Sequence, residues 1–335
     1  MVEIKIQDYL FQSIREKLRP GDSLSEAVAS LLYVSSDSAY RRIRGETPLV
    51  LEEAKTLCDA YGLSLDQLLQ SRPDSISVQY TQVANNRQSF QHYLQGILTN
   101  LNMLSGAITK EIIYLTKDIP VFYNFLYRPL FSFRYFFWMK SILQDPDFIN
   151  AKFSVDCLPK DIESMGTEIN RVYNNIPSSE IWNSECINST ISQIEYYREA
   201  GYFRSSAEIE NVYEALRCLI EHMRDQAESG SKFLPGENAT MKRANFQFYH
   251  NRVVLGDNTI IAVANGRKLV YLSYDVLNYI TTTDENFCGN VYEKVQMLMR
   301  RATVLSRVSE KQRSIFFNIL LKKIPGRIGI NNKSI

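Results

Sequence analysis

Residues 23–45 read SLSEAVASLLYVSSDSAYRRIRG, and that order of side chains predicts two helices joined by a tight turn. Ser23 stands as an N-cap with Glu26 three residues on, the spacing in which each side chain satisfies an orphan N–H of the first turn. Leu24, Ala27, Val28 and Leu31 fall at i, i+3, i+4 and i+7, so one face is apolar. Tyr33 and Val34 make the turn, and Ser35 caps a second helix from Ser36 to about Arg44. Gly45 ends it, where a left-handed residue is needed and glycine adopts that conformation without cost.

The second helix offers Ala39 and Ile43 to a core, one turn apart. Ser36, Asp37, Ser38, Tyr40, Arg41 and Arg44 are left outside. A short polar face tipped with arginine suits a helix whose N-terminal half enters the major groove of duplex DNA. There, small polar groups and Arg meet base edges, while later arginines neutralise phosphates. The candidate DNA-binding residues are Ser35, Ser36, Asp37, Ser38, Tyr40, Arg41, Arg42 and Arg44. Ser36, Asp37, Ser38 and Arg41 are placed near bases, and Arg42 or Arg44 on phosphate.

The flanks extend the pattern. Tyr9 to Leu18 presents Leu10, Ile14 and Leu18 at helical spacing and is stopped by Pro20 and Gly21. After a loop over 46–50, Leu51, Ala54, Leu57, Cys58 and Tyr61 repeat on one face of a fourth helix closed by Gly62. Ser64 with Gln67 forms another capping box, which starts a short fifth helix through Leu69. Five short helices, with the second and third forming the turn motif, resemble the lambda-repressor and Cro-like (XRE) helix-turn-helix family over residues 8–70. The resemblance implies a sequence-specific DNA-binding module that works as a dimer on a two-fold site. Two departures stand out. The family usually has glycine at the position of Tyr33, so this turn must hold a bulky residue in a conformation that bulky residues dislike. The family also keeps an apolar residue at the position of Arg42, and here Ile43 follows one place later, which implies a slightly rotated recognition helix.

Charge argues against a generally basic module. Residues 1–70 carry eight Lys and Arg against eleven Asp and Glu, a net of −3. Attraction to phosphate must therefore come from the local cluster Arg41, Arg42 and Arg44. The whole chain of 335 residues has a net charge of +1, with 45% apolar and 22% charged residues. It is ordinary globular composition with room for two or three domains and no general affinity for polyanions. The five cysteines, Cys58, Cys157, Cys186, Cys218 and Cys288, are scattered without a CxxC pair, as expected of buried thiols in a reducing compartment. The opening MVEIKIQDYL lacks the basic start and apolar run of a signal peptide, so a cytoplasmic protein is expected.

The expected domains are 1–70, the helix-turn-helix; 71–88, a polar linker poor in leucine; and 89–330, a helical or α+β effector or dimerisation domain. In the last, Phe90, Leu94, Ile97, Leu101, Leu104 and Ile108 follow steps of four and three. They form the seam either of a dimerisation helix or of an ordinary core helix. The segment 111–143 is the most aromatic. Charged residues interrupt it well short of the roughly 20 apolar residues of a membrane span. It predicts a strand at Ile112 to Leu115 and a buried helix at Leu130 to Leu143. Phe122, Tyr123, Phe133, Phe137 and Trp138 are candidates to line an effector pocket, or else simply core.

Ile181, Trp182, Ile187, Ile191, Ile194 and Tyr197 predict one helix, and Ile209 to Met223 another. Cys218 and His222 share a face of the second at metal-ligand spacing, but two ligands make no site, and no metal or cofactor is expected. Residues 245–254, 259–264 and 268–273 predict a small antiparallel sheet, with turns at Gly256-Asp257-Asn258 and Asn265-Gly266. Helices over about 292–307 and 310–323 follow. Between Glu293 and Arg327 nine Lys and Arg face two Glu, a run suited to an anionic effector, to DNA backbone, or to a solvated helix face. No catalytic motif is present, so no enzyme is expected.

The fold class expected is mainly α: a five-helix lambda-repressor-like bundle, then a larger α+β domain with a small antiparallel sheet near 245–273. The function expected is transcription regulation by a homodimer on double-stranded DNA, with a possible small-molecule or protein effector and no membrane. The alternative is a ligand-sensing or protein-interaction module that the helix-turn-helix only localises.

Overall fold

The computed structural model describes residues 6–19, 21–63, 65, 76–80, 83, 86–237, 243–253 and 256–325. The chain divides into two compact units, Met1–Val78 and Gln79–Ile335.

Among the described residues of the first unit the apolar spacing produces four helices: α1 (Ile6–Lys17), α2 (Leu24–Leu32), α3 (Ser36–Ile43) and α4 (Leu51–Tyr61). Leu10, Phe11, Ile14, Val28, Leu57 and Cys58 bury themselves as its core. Ser23 takes the N-cap position of α2, but its side chain caps nothing and faces Ser25 Oγ instead, so the expected capping box with Glu26 does not form. The expected fifth helix lies outside the described residues apart from Leu65, which packs against the core.

In the second unit an eight-stranded sheet runs in the order β1-β7-β6-β5-β2-β3-β4-β8. Its strands are β1 (Gln79–Tyr80), β2 (Lys110–Leu115), β3 (Ser178–Trp182), β4 (Phe246–His250), β5 (Thr259–Ala264), β6 (Arg267–Ser273), β7 (Tyr279–Thr282) and β8 (Thr303–Val304). β2, β3 and β4 are mutually parallel and the other pairs antiparallel. The unit is α+β. Its helices are α5 (Arg87–Ser105), α6 (Arg128–Phe137), α7 (Pro146–Ile149), α8 (Lys160–Tyr173), α9 (Asn188–Glu199), α10 (Ser206–Ser229), α11 (Glu285–Arg301) and α12 (Glu310–Lys323). The chain continues α6 as a π-helical turn over Trp138–Ile142.

Alternation along the strands sends two side-chain sets to two cores. Ile112, Tyr114, Ile260 and Phe248 face the main core, which α5, α6, α8 and α10 also line. Ile113, Ile181, Ile261 and Val270 face the other side, where Cys288 and Val295 of α11 cover them.

The sheet differs from the expectation in two ways. Ile181 and Trp182, expected on a helix, end strand β3, all five of whose residues are buried; a strand covered on both faces shows no alternation. The strand at 246–250 does not join the 259–273 hairpin but pairs with β3 and β8, so the small antiparallel sheet near 245–273 is part of a larger mixed one. The hairpin itself follows its turn residues: Asn265 and Gly266 have φ of 49° and 83°, the left-handed pair that a two-residue hairpin turn requires. The helix expected from residue 292 starts at Glu285, because the Asp284 side chain accepts the Phe287 N–H at 2.8 Å.

Within the expected linker 71–88, Gln79 and Tyr80 pair with β7. Asn86 caps α5 by accepting the Ser89 N–H at 2.8 Å. The seam of α5 is occupied within the chain: Phe90, Leu94, Leu101 and Leu104 are buried, while Ile108 lies beyond the helix and is 93% exposed.

The main core holds a charged cluster. Glu180 is fully buried, accepting from the Tyr123 and Tyr173 hydroxyls at one oxygen and from Trp182 Nε1 (2.8 Å) at the other. Burial pushes its carboxyl up against those three donors and the field of Lys232. The fully buried Lys232 donates to the Tyr173 carbonyl at 3.1 Å and lies over the Tyr173 ring; burial lowers its pKa to about 7. Nearby on α10, His222 Nε2 pairs with the Phe233 carbonyl at 3.0 Å, and burial holds the imidazole down at about 4.

Candidate nucleic-acid interface

Helix α3 is set by its two ends. Ser35 has an extended backbone, and its hydroxyl accepts the Ser38 N–H at 3.2 Å. Gly45, at φ 71°, lets the chain leave. Ahead of the helix, Tyr33 closes α2 in the left-handed region (φ 54°, ψ 40°) with its side chain 96% exposed. The turn geometry at this position is therefore the one that glycine adopts easily and tyrosine adopts at a cost of order 1–2 kcal/mol. Gln7 of α1 fixes the loop after α3, donating to the carbonyls of Arg42 (2.7 Å) and Thr47 (2.8 Å) and accepting from the Leu49 N–H (3.0 Å).

Ala39 is fully buried and Ile43 half-buried against the core, so the opposite face is open. Ser35, Ser36, Asp37, Tyr40, Arg41 and Arg44 are exposed on or beside it. The Arg41 and Arg44 side chains are 58% and 59% exposed and share Glu46, at 3.8 and 3.2 Å. Arg44 also lies over the Tyr40 ring at 5.7 Å. Exposed ion pairs of this kind contribute about 0–1 kcal/mol and are readily exchanged for a phosphate partner.

Arg42 is placed differently from its neighbours. Its Nε and Nη2 donate to the two carboxylate oxygens of Glu53 at 3.1 and 2.8 Å, and its Nη1 donates to Ser38 Oγ at 2.6 Å. Its side chain is only 14% exposed. The pair raises the pKa of Arg42 and lowers that of Glu53, the hydrogen bond between them being the larger cause in both. Glu53 also accepts the Val50 N–H at 3.2 Å at the start of α4. Arg42, named from the sequence as a candidate phosphate contact, is thus held against the domain, and Ser38, which helical spacing put on the outer face, is half-buried with it. Sequence reasoning missed Glu53 and Gln7. The Glu at the third residue of α4 was a visible cap signal, but its partner lies eleven residues away across a loop.

The other sequence candidates separate on the same grounds. Tyr123, Phe133, Phe137 and Trp138 pack against other aromatic rings in the core, and Phe122 borders a cavity. The basic run divides. Arg307, Arg313 and Lys323 donate to backbone carbonyls, and Lys294, Arg300, Arg301, Lys311 and Lys322 are exposed. Arg327 lies outside the described residues. Among the described residues no group of three or more His, Cys, Asp and Glu is placed to hold a metal, and no helix is long and apolar enough to cross a membrane. All five cysteines are free.

No known protein family, curated protein or solved structure matches this chain.

Proposed function

We propose that the first unit is a helix-turn-helix module and that the chain is a sequence-specific, DNA-binding regulator of transcription. The observation that carries this reading is the open face of α3. Ser36, Asp37, Tyr40, Arg41 and Arg44 are presented outward from a capped helix, while Arg42 is tied down by Glu53. The first-turn Ser36 and Asp37 suit base edges, with Asp37 as an acceptor for cytosine N4 and Arg41 as a fork for guanine. Arg44 suits phosphate. An overall acidic domain binds non-specific DNA weakly, so its preference rests on these direct contacts. The resemblance to the XRE family adds a homodimer on a two-fold site. Phe90, Leu94, Leu101 and Leu104 of the α5 seam are buried within the chain, so that dimer is assigned to another surface.

Selection of bound duplexes from a random-sequence pool by the full-length protein tests the proposal. Enrichment of one motif with two-fold symmetry is the expected outcome. A pool that stays random after repeated rounds would remove DNA recognition, and a single unrepeated motif would remove the dimer.

A further inference from the structure

Helix α5 does not seal the sheet beneath it. Tyr93, Ile97, Leu101 and Leu104 form one wall of a cavity of about 560 Å³, and Ile260, Ala262, Leu269 and Tyr271 of β5 and β6 form its floor. The volume falls within the roughly 300–1,000 Å³ of small-molecule sites. Among the described residues that line it there is no Asp, Glu, Lys or Arg. The polar groups are neutral hydrogen-bonding ones, such as Gln79, Ser89, Asn100 and Thr281, beside His92. Gly96 sits in the middle of α5, where glycine costs about 1 kcal/mol relative to alanine, and a Cβ there would meet nothing within 4 Å. No neighbour requires the missing side chain; its absence keeps the space at the wall open.

We infer that this cavity is a binding site for a neutral, mainly apolar small molecule that carries a few hydrogen-bonding groups. The apolar floor and wall take its body, and the amide and hydroxyl side chains around the lining take its polar groups. Anions are disfavoured because no cation lines the walls to offset desolvation of their charge. The site lies wholly within the second unit, and its occupation does not depend on the DNA-binding proposal.

The test uses the full-length protein without DNA and two dyes, neutral N-phenyl-1-naphthylamine and anionic 1-anilinonaphthalene-8-sulfonate. Saturable, one-site fluorescence enhancement by the neutral dye is expected, with the anionic dye at least tenfold weaker. Gly96→Leu and Ala262→Leu both project into the cavity and should each weaken the neutral dye at least tenfold, with circular dichroism confirming that each variant is folded. Leucine at 96 also favours the helix, so that variant should melt no lower than the parent chain. Absence of saturable binding to the parent chain would overturn the site, as would unchanged affinity in whichever folded variant is measured. Equal binding of the two dyes would overturn the assignment to neutral ligands.

Discussion

Glu53 in the first unit and Glu180 in the second are both bound by several donors, yet they serve opposite ends. Glu53 stands at a partly exposed helix start and grips Arg42, and its pKa is lowered. Its effect is to sort an exterior: one arginine of three is held against the domain and two stay available. Glu180 has no access to water, is held by two tyrosines and a tryptophan, and has its pKa raised by burial. Its effect is to fix an interior by orienting large rings that apolar packing alone would leave less determined. In one unit a carboxylate shapes what a partner meets; in the other it shapes what no partner reaches.

The largest effect expected from breaking this contrast is at Glu180. Glu180→Ala leaves three buried donors without an acceptor, each worth about 1–3 kcal/mol, so a loss of at least ~3 kcal/mol is expected. Both tryptophans, Trp138 and Trp182, lie in the second unit, so urea unfolding followed by tryptophan fluorescence reads that unit alone. A midpoint unchanged from the parent chain would mean that the cluster contributes nothing.

A second contrast is in acid. His222 has a folded pKa of about 4 against 6.5 in the unfolded chain. Its contribution is therefore present above about pH 6.5 and is lost as pH falls toward 4, by up to about 3 kcal/mol. Fluorescence-monitored unfolding at several pH values should show a steeper acid decline in the parent chain than in His222→Gln, and parallel curves would contradict this.

The first unit should behave otherwise. The lowered pKa of Glu53 confines its acid sensitivity to below about pH 4, the ordinary carboxylate range. Arg42→Ala removes a bidentate, largely shielded pair and should cost the first unit about 1–2 kcal/mol at neutral pH. The parent chain and the variant should converge as pH falls through the folded pKa of Glu53. Amide hydrogen exchange over residues 24–61 of the full chain measures both, and faster exchange confined to other segments would sink the assignment. The smallest effect is a gain: Gly96→Ala should raise second-unit stability by about 0.5–1 kcal/mol, read by the same fluorescence. A loss there would mean that the glycine is needed by the fold and not by the cavity.

How much was legible follows from the same division. Helices α1 to α4, the burial of Ala39 and the Gly45 stop depend on side chains within a few residues of one another, and spacing in the sequence carries them; the strained turn at Tyr33 was expected only from the family resemblance, which has glycine there. Helical spacing left Arg42 off the face it gave to Arg41 and Arg44, but its partner Glu53 lies across a loop, so the sequence still offered all three arginines as DNA contacts where the structure separates one from two. Strand β3 was lost because burial on both faces erases alternation, and because Ser178, Ser179 and Glu180 give a core strand polar letters. The run at 246–250 was recognised as extended, but nothing local states that it pairs with a strand 68 residues earlier (Phe246 with Ser178). The aromatic segment was visible as a cluster; that its rings fill the core while the open space lies under α5 is a matter of shape, which composition does not encode.

The central claim, that the arginines of α3 are unequal by design of the fold, is tested most directly on DNA. Using the duplex enriched by selection and its scrambled counterpart, the affinities of the parent chain, Arg41→Ala and Arg42→Ala would be measured over a salt titration. Temperatures would be kept well below the melting transition of each variant. Arg41→Ala should lose its preference for the specific duplex by roughly 5- to 150-fold, the value of one good bidentate base contact at about 1–3 kcal/mol. Arg42→Ala should keep its preference and its salt slope within about a factor of two. The opposite ranking, or a parent chain that does not distinguish the two duplexes, would contradict the account.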